Sequence, residues 1–161
     1  MSVFFLLNLL LALIWAAISG SVSATNLSIG FLVGYVLIWL ADPLLGSGRY
    51  ARQVFVVLGF LAFFVKELVL SSLRVARDVL SLDYERRVSP GIVAIPLDLK
   101  SNLAITLLAN TISLTPGTLS LDVSEEDRVL YIHSMYVSSP EAVREEIKGE
   151  LERRVREVVG G

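Results

Sequence analysis

Only three formally charged residues, Asp42, Arg49 and Arg52, precede Lys66, and every other charge in the chain lies at or beyond that lysine. A stretch so poor in charge has no way to present a solvated surface in water, so the sequence divides into a lipid half and a water half. Its 161 residues, 54% of them hydrophobic, make it too apolar for an ordinary soluble domain and too short for two large ones. The expected architecture is a membrane anchor carrying a small polar domain on one side of the bilayer.

The formal net charge of −2 provides no basic field, and Lys and Arg are interleaved with carboxylates, which sets nucleic acid aside as a partner. Cysteine is absent, so disulfides, thiolate chemistry and cysteine metal sites are excluded. The apolar run 3–18 followed by Ser21-Val22-Ser23-Ala24 imitates a signal peptide with a small-residue cleavage site. It lacks the positively charged n-region, so it is expected to be retained.

Three apolar segments, about 3–18, 27–41 and 54–80, form an expected membrane domain over residues 1–82. Asp42-Pro43 and the Gly46-Ser47-Gly48 run break the helix between the second and third. The first two fall short of the roughly 20 residues that span a bilayer, so either they borrow flanking small residues, the bilayer thins, or they form a re-entrant hairpin. The third runs without proline and is expected to cross and protrude. Arg74, Arg77, Arg86 and Arg87 follow it, against Arg49 and Arg52 in the second loop and no charge in the first. With three spans, this excess favours a cytoplasmic C-terminus.

A polar linker, 83–91, leads to a compact unit over 92–161 with the order β-α-β-β-α. The strand 92–97 carries Pro96, which marks an edge or a strand end. Ser101 is placed to cap a helix whose apolar surface is built from Leu103, Ile105, Leu107, Leu108 and Ile112. Thr115-Pro116-Gly117-Thr118 fits a type II turn, with Pro116 presetting the second position and Gly117 accepting positive φ at the third. Leu119, Leu121 and Val123 alternate with polar residues, so that face is expected to be buried, and 124–128 turns into a second strand. The last helix starts at Ser138 or Ser139 with Pro140 in its first turn, and packs through Val143, Ile147, Leu151, Val155 and Val158 on an otherwise solvated cylinder. Helices cover one face of so small a sheet well and the other poorly, so the second face is expected to meet lipid headgroups or protein.

The stretches Pro90-Gly91-Ile92-Val93-Ala94-Ile95-Pro96-Leu97-Asp98-Leu99-Lys100 and Leu107 through Val123, with Ser113-Leu114-Thr115-Pro116-Gly117-Thr118-Leu119-Ser120-Leu121-Asp122-Val123 at their centre, resemble the E-type subunit of the multisubunit Mrp-type cation/proton antiporters. So do Lys66-Glu67-Leu68, Arg74 through Leu80, the Leu130–Tyr136 strand and the Glu141-Ala142-Val143-Arg144 helix start. The resemblance implies an integral component of a hetero-oligomeric complex in a bacterial or archaeal plasma membrane. Its partners would be other antiporter subunits, membrane lipids, and the sodium ions and protons that the complex handles. It also implies a non-catalytic, assembly or stabilising role and no cofactor, since the conducting machinery of that family is assigned to the large subunits.

Among individual residues, Lys66 and Glu67 carry the sharpest question, because ionisable groups near membrane depth are costly and often line ion routes. Neighbouring positions on a helix point about 100° apart, so each is expected to find a partner other than its neighbour. Glu67, Ser71 and Arg74 share a face, and Lys66 is free to snorkel to headgroups. Two readings stand: interfacial anchoring or subunit contact, and participation in ion movement. Asn8, within an apolar run, is placed to hydrogen-bond a neighbouring helix, and Gly30 and Gly34 have the small-xxx-small spacing of close helix packing. Asp42 reads as a helix-end residue, and His133, the sole histidine, as structural. No phosphate loop, Ser/His/Asp arrangement or paired-carboxylate site is present, so the chain is not read as an enzyme. A stand-alone membrane-tethered binding or sensor module is the alternative function.

Overall fold

The computed structural model describes residues 2–45, 48–81, 83, 88–124, 126 and 128–160. Gly46 and Ser47 of the predicted break, residues 84–87 of the linker, which include Arg86 and Arg87, and two positions of the hairpin turn lie outside the described residues. The chain divides into two compact units, 1–57 and 58–161, and the division falls inside a helix.

The first unit is built from α1 (Ser2–Ile18), α2 (Ala24–Leu40), the single turn α3 (Asp42–Leu45) and the start of α4 (Gly48–Val79). α2 begins three residues earlier than its apolar run because Ser23 caps it: the Ser23 hydroxyl accepts from the Asn26 amide at 3.1 Å. The Asn26 side chain in turn donates to the Ser21 carbonyl and hydroxyl, tying the connection between the helices. Gly20, at φ +72°, supplies the left-handed residue that ends α1. α1 and α2 are apolar on all sides, yet most of their large side chains, Leu6, Leu13, Leu32 and Trp39 among them, are exposed. Such a surface is stable only against lipid or another apolar protein.

The second unit contains α4 from Leu58 onward, followed by β1 (Gly91–Pro96), α5 (Asn102–Leu114), β2 (Thr118–Ser124), β3 (Val129–Ser134), α6 (Pro140–Glu146), a π-helical segment (Ile147–Glu152) and α7 (Arg153–Val159). The strands form one antiparallel sheet in the order β1-β3-β2. Val93 and Ile95 stand beside Ile132 and Leu130, and this face packs on Ala104, Leu108 and Ile112 of α5 and on Val143, Ile147 and Val155. Side-chain donors protect the free edge of β1: Arg144 Nε reaches the Ala94 carbonyl and Lys148 Nζ the Pro96 carbonyl, each at 2.8 Å.

Three sequence expectations need correcting. In β2 the alternation does not bury Leu119 and Leu121, which are exposed; Ser120 faces inward instead, donating its hydroxyl to the Ala109 carbonyl, and a bulge at Leu121 returns Val123 to the core side. In α5, Ser101 stands at the N-cap with extended backbone but makes no side-chain cap bond, and Leu103 is exposed while Ala104 and Thr111 are buried. The last helix is not one regular cylinder: its π-helical segment shifts the phase of the residues that follow and carries Glu152 inward, to 1% exposure. Among the described residues, no helix of this unit covers the outer face of the sheet, with Ile92, Leu119 and Tyr131.

By length and composition, one helix among the described residues could cross a membrane, Arg52–Val79 of α4, and almost none of its most apolar stretch is buried. α1 and α2, at 17 residues each, are apolar but shorter.

Candidate functional site

The seam between α1 and α2 is set by two glycines. A Cβ on Gly30 would lie 2.7 Å from the Trp15 Cβ and 2.9 Å from the Ala12 backbone, and one on Gly34 would strike the Asn8 side-chain oxygen. The backbones therefore approach as closely as they do only because those positions lack side chains. Ala12, Ala16 and Ile38 fill the rest of the seam. Asn8 is fully buried, and its amide donates to the Tyr50 hydroxyl at 2.9 Å, pinning the start of α4 to α1. Tyr50 in turn packs its ring 6.0 Å from that of Tyr35. The Asn8 oxygen has no hydrogen-bond donor among the described residues. The sequence pointed to Asn8, Gly30 and Gly34; it gave no sign of Tyr50, whose hydroxyl lies 42 positions away.

In the second unit a cavity of about 280 Å³ opens beside α4. Lys66, Glu67, Ser71 and Arg74 line one wall, and Thr111, Thr118, Pro116, Glu146 and Glu150 are among those lining the others. Glu67, Ser71, Arg74 and Asp78 recur at helical spacing, which is why one face of α4 is polar here. Lys66 Nζ lies 3.5 Å from Glu67 Oε1, so the expectation that these neighbours would not pair is wrong: two long, flexible arms close the angle that their Cα positions open. With the Lys66 side chain 66% exposed, such a pair contributes at most about 1 kcal/mol. The Ser71 hydroxyl is spent on the Glu67 backbone carbonyl at 2.6 Å.

Tyr136, which sequence reasoning passed over, closes one end of this cavity. Its hydroxyl donates to the buried carboxylate of Asp78 at 2.9 Å, and the Arg74 guanidinium sits 5.9 Å from its ring centre. Its ring lies against Gly117, where φ is +92° and a Cβ would come within 3.3 Å of it. The Thr118 amide donates to the Thr115 carbonyl at 3.1 Å, so the Thr115–Thr118 segment has the bond and the positive φ of the turn that Pro116 and Gly117 imply. Further along, the Arg154 guanidinium stacks 4.1 Å over the Phe63 ring. Of the charges lining the cavity, Lys66 pairs with Glu67, Arg74 approaches the Tyr136 ring, and Glu150 lies 3.6 Å from Arg154. Among the described residues no three His, Asp or Glu side chains converge as metal ligands.

Glu152 is the other residue the sequence hid. Its buried carboxylate accepts from the Asp98 amide at 2.6 Å, with Lys148 at 3.8 Å and Arg156 at 3.6 Å, and both cations also approach the Asp98 carboxylate. This network fastens the end of the β1–α5 connection to the last helix. His133 stands on the outer sheet face, paired in register with Ile92 and Leu119.

Comparison with known proteins places this arrangement. A family model described as Na+/H+ ion antiporter subunit matches residues 8–158. The E subunit of the Na+/H+ antiporter of Alkalihalophilus pseudofirmus is 37% identical over 153 residues, covering 95% of this chain and 96% of that one. The E1 subunit of the Na+/H+ antiporter of Staphylococcus haemolyticus is 36% identical over 158 residues, 98% of each chain. Among solved structures, a chain of the membrane-bound sulfane sulfur reductase, an archaeal respiratory membrane complex, aligns over 97% of this chain and 98% of its own with a TM-score of 0.58 and 25% identity. With a match that runs nearly end to end, the chain belongs to the Na+/H+ ion antiporter subunit family, alongside these E and E1 subunits.

Proposed function

We propose that this chain is a non-catalytic subunit of a multisubunit sodium/proton antiporter in the plasma membrane, assembling with larger antiporter subunits and bracing them. The carrying observation is the exposed apolar surface of α1 and α2 in a chain aligned from end to end with proteins named as subunits. Such a surface needs lipid and protein neighbours to cover it. The apolar helices of the N-terminal half hold the chain in the bilayer, and the unit built on the sheet lies on the cytoplasmic side. In support of that orientation, Arg74 and Arg77 stand at the C-terminal end of the third apolar segment, whereas the α1–α2 connection carries no charge.

In this reading Lys66, Glu67 and Arg74 serve contact and anchoring. Glu67 lies 3.5 Å from the Lys66 ammonium, and this ion pair supports the contact and anchoring role. Cells deleted for this chain are expected to lose sodium-dependent proton exchange in everted membrane vesicles. Complementation with the Glu67→Gln chain is expected to restore at least about half of it, because a lost exposed pair costs little. Full exchange in the deleted strain would count against the subunit role, and an assembled but inactive Glu67→Gln complex would return Glu67 to the ion path.

A further inference from the structure

α4 carries two opposed faces, and they determine how it meets the bilayer. On one face Phe60 is buried in the core of the second unit, Phe63 lies under Arg154, Val75 sits beside Gly117, and Asp78 bonds Tyr136. The α/β elements therefore accompany this helix over 18 residues, about 27 Å of its length. On the opposite face Leu58, Leu61, Val65, Val69, Leu73 and Val79 are exposed, with only Ala62, Ser72 and Ala76 completing the stripe. No charge interrupts it: Glu67, Arg74 and Asp78 lie on the covered side, and Lys66 and Arg77, eleven residues apart on one flank, are 66% and 72% exposed at their side chains.

A helix crossing the bilayer upright would take its companions with it, placing Arg154, Glu146 and Glu150 beside the hydrocarbon, an expensive arrangement. Lying flat, the same helix puts the charge-free stripe into the acyl boundary, its flanking cations among headgroup phosphates, and the α/β elements in water. The basic residues agree. Three crossings divide them, with Arg49 and Arg52 outside and Arg74 and Arg77 inside; two crossings, by α1 and α2, place all of them on one side and leave only the charge-free connection 19–23 on the other. We infer that residues 58–79 form an interfacial helix in the plane of the cytoplasmic leaflet, with anionic lipid as the occupant of the exposed stripe. The chain then crosses the membrane twice, with both ends in the cytoplasm.

This inference rests on the membrane reading of α1 and α2, and the absence of native cysteine makes it testable in the full chain within native membranes. Single variants Ser21→Cys, Arg52→Cys and Glu145→Cys are exposed to a membrane-impermeant maleimide in intact cells and again after permeabilisation. Ser21→Cys is expected to react from outside, and the other two at least tenfold more after permeabilisation. Reaction of Arg52→Cys from outside overturns the in-plane placement alone, whereas recovery of the chain in the soluble fraction overturns the membrane reading itself. Spin labels at Leu58, Val65, Val69 and Leu73 give an independent readout in the purified assembly returned to bilayers containing anionic lipid. Equal depths, about 5–10 Å below the headgroups, support the assignment. A depth that changes by about 1.5 Å per residue, as along an upright helix, overturns it, and so do labels shielded from oxygen by protein.

Discussion

Replacing Gly34 with leucine is expected to remove the chain from the membrane assembly, with recovery falling to about a tenth or less of the native level. The α1–α2 seam leaves no room at this position: a single Cβ already meets the Asn8 oxygen, with the Leu11 Cβ 3.1 Å away. Overpacking of this kind costs about 1–3 kcal/mol or more when backbones must separate. Separation here also breaks the bond from Asn8 to Tyr50, leaving a buried amide without a partner, a further cost of about 1–3 kcal/mol. Gly59 is the internal control, because a Cβ there meets nothing within 4 Å. The comparison is the amount of each variant retained after mild-detergent extraction and its unfolding temperature in that detergent. Gly59→Ala should match the native chain; a Gly34→Leu chain that is as abundant and as stable would show that close approach of α1 and α2 does not hold this unit together.

Substituting Glu152 is expected to have the second-largest effect, confined to the sheet-containing unit. Glu152→Leu fills the space but deprives the Asp98 amide of its acceptor and leaves Lys148 and Arg156 beside Asp98 alone. The orphaned amide costs about 1–3 kcal/mol, and the lost ion pairs add little because Lys148 and Arg156 are themselves partly exposed. Glu152→Gln keeps an oxygen for the Asp98 amide while losing the charge, so it should recover roughly half of that loss. Hydrogen exchange of the Asp98 amide in the full chain separates the cases: fast in Glu152→Leu, slowed in Glu152→Gln, slowest in the native protein. Equal exchange in all three would mean that the carboxylate is not what anchors the connection.

These two sites differ in how far they could be read in advance. Gly30 and Gly34 announce themselves by spacing, and Asn8 by being polar within an apolar run, because helix packing in lipid depends on local patterns along one face. Glu152 announced nothing. On a regular helix it belongs to the solvated side, and only the π-helical phase shift turns it inward, a property of how the last helix meets the sheet. The same distinction explains β2: alternation predicted a buried face for Leu119 and Leu121, but a bulge, invisible to a period-two pattern, placed Ser120 inside. The turn at Pro116 and Gly117 was legible because proline and glycine fix backbone angles by covalent structure alone. Tyr50 and Tyr136 were not, since each acts through a partner far away in sequence. The pairing of Lys66 with Glu67 was misjudged by reasoning from Cα directions without the reach of the side chains.

Membership of a larger antiporter assembly is to be tested by affinity purification of the tagged full chain from native membranes in mild detergent, with mass spectrometry of what accompanies it. Stoichiometric recovery of large polytopic antiporter subunits, lost together with the chain in Gly34→Leu, is the predicted result. Recovery of the chain alone across several mild detergents, from cells that retain sodium/proton exchange, would contradict the account and leave a stand-alone membrane-tethered module in its place.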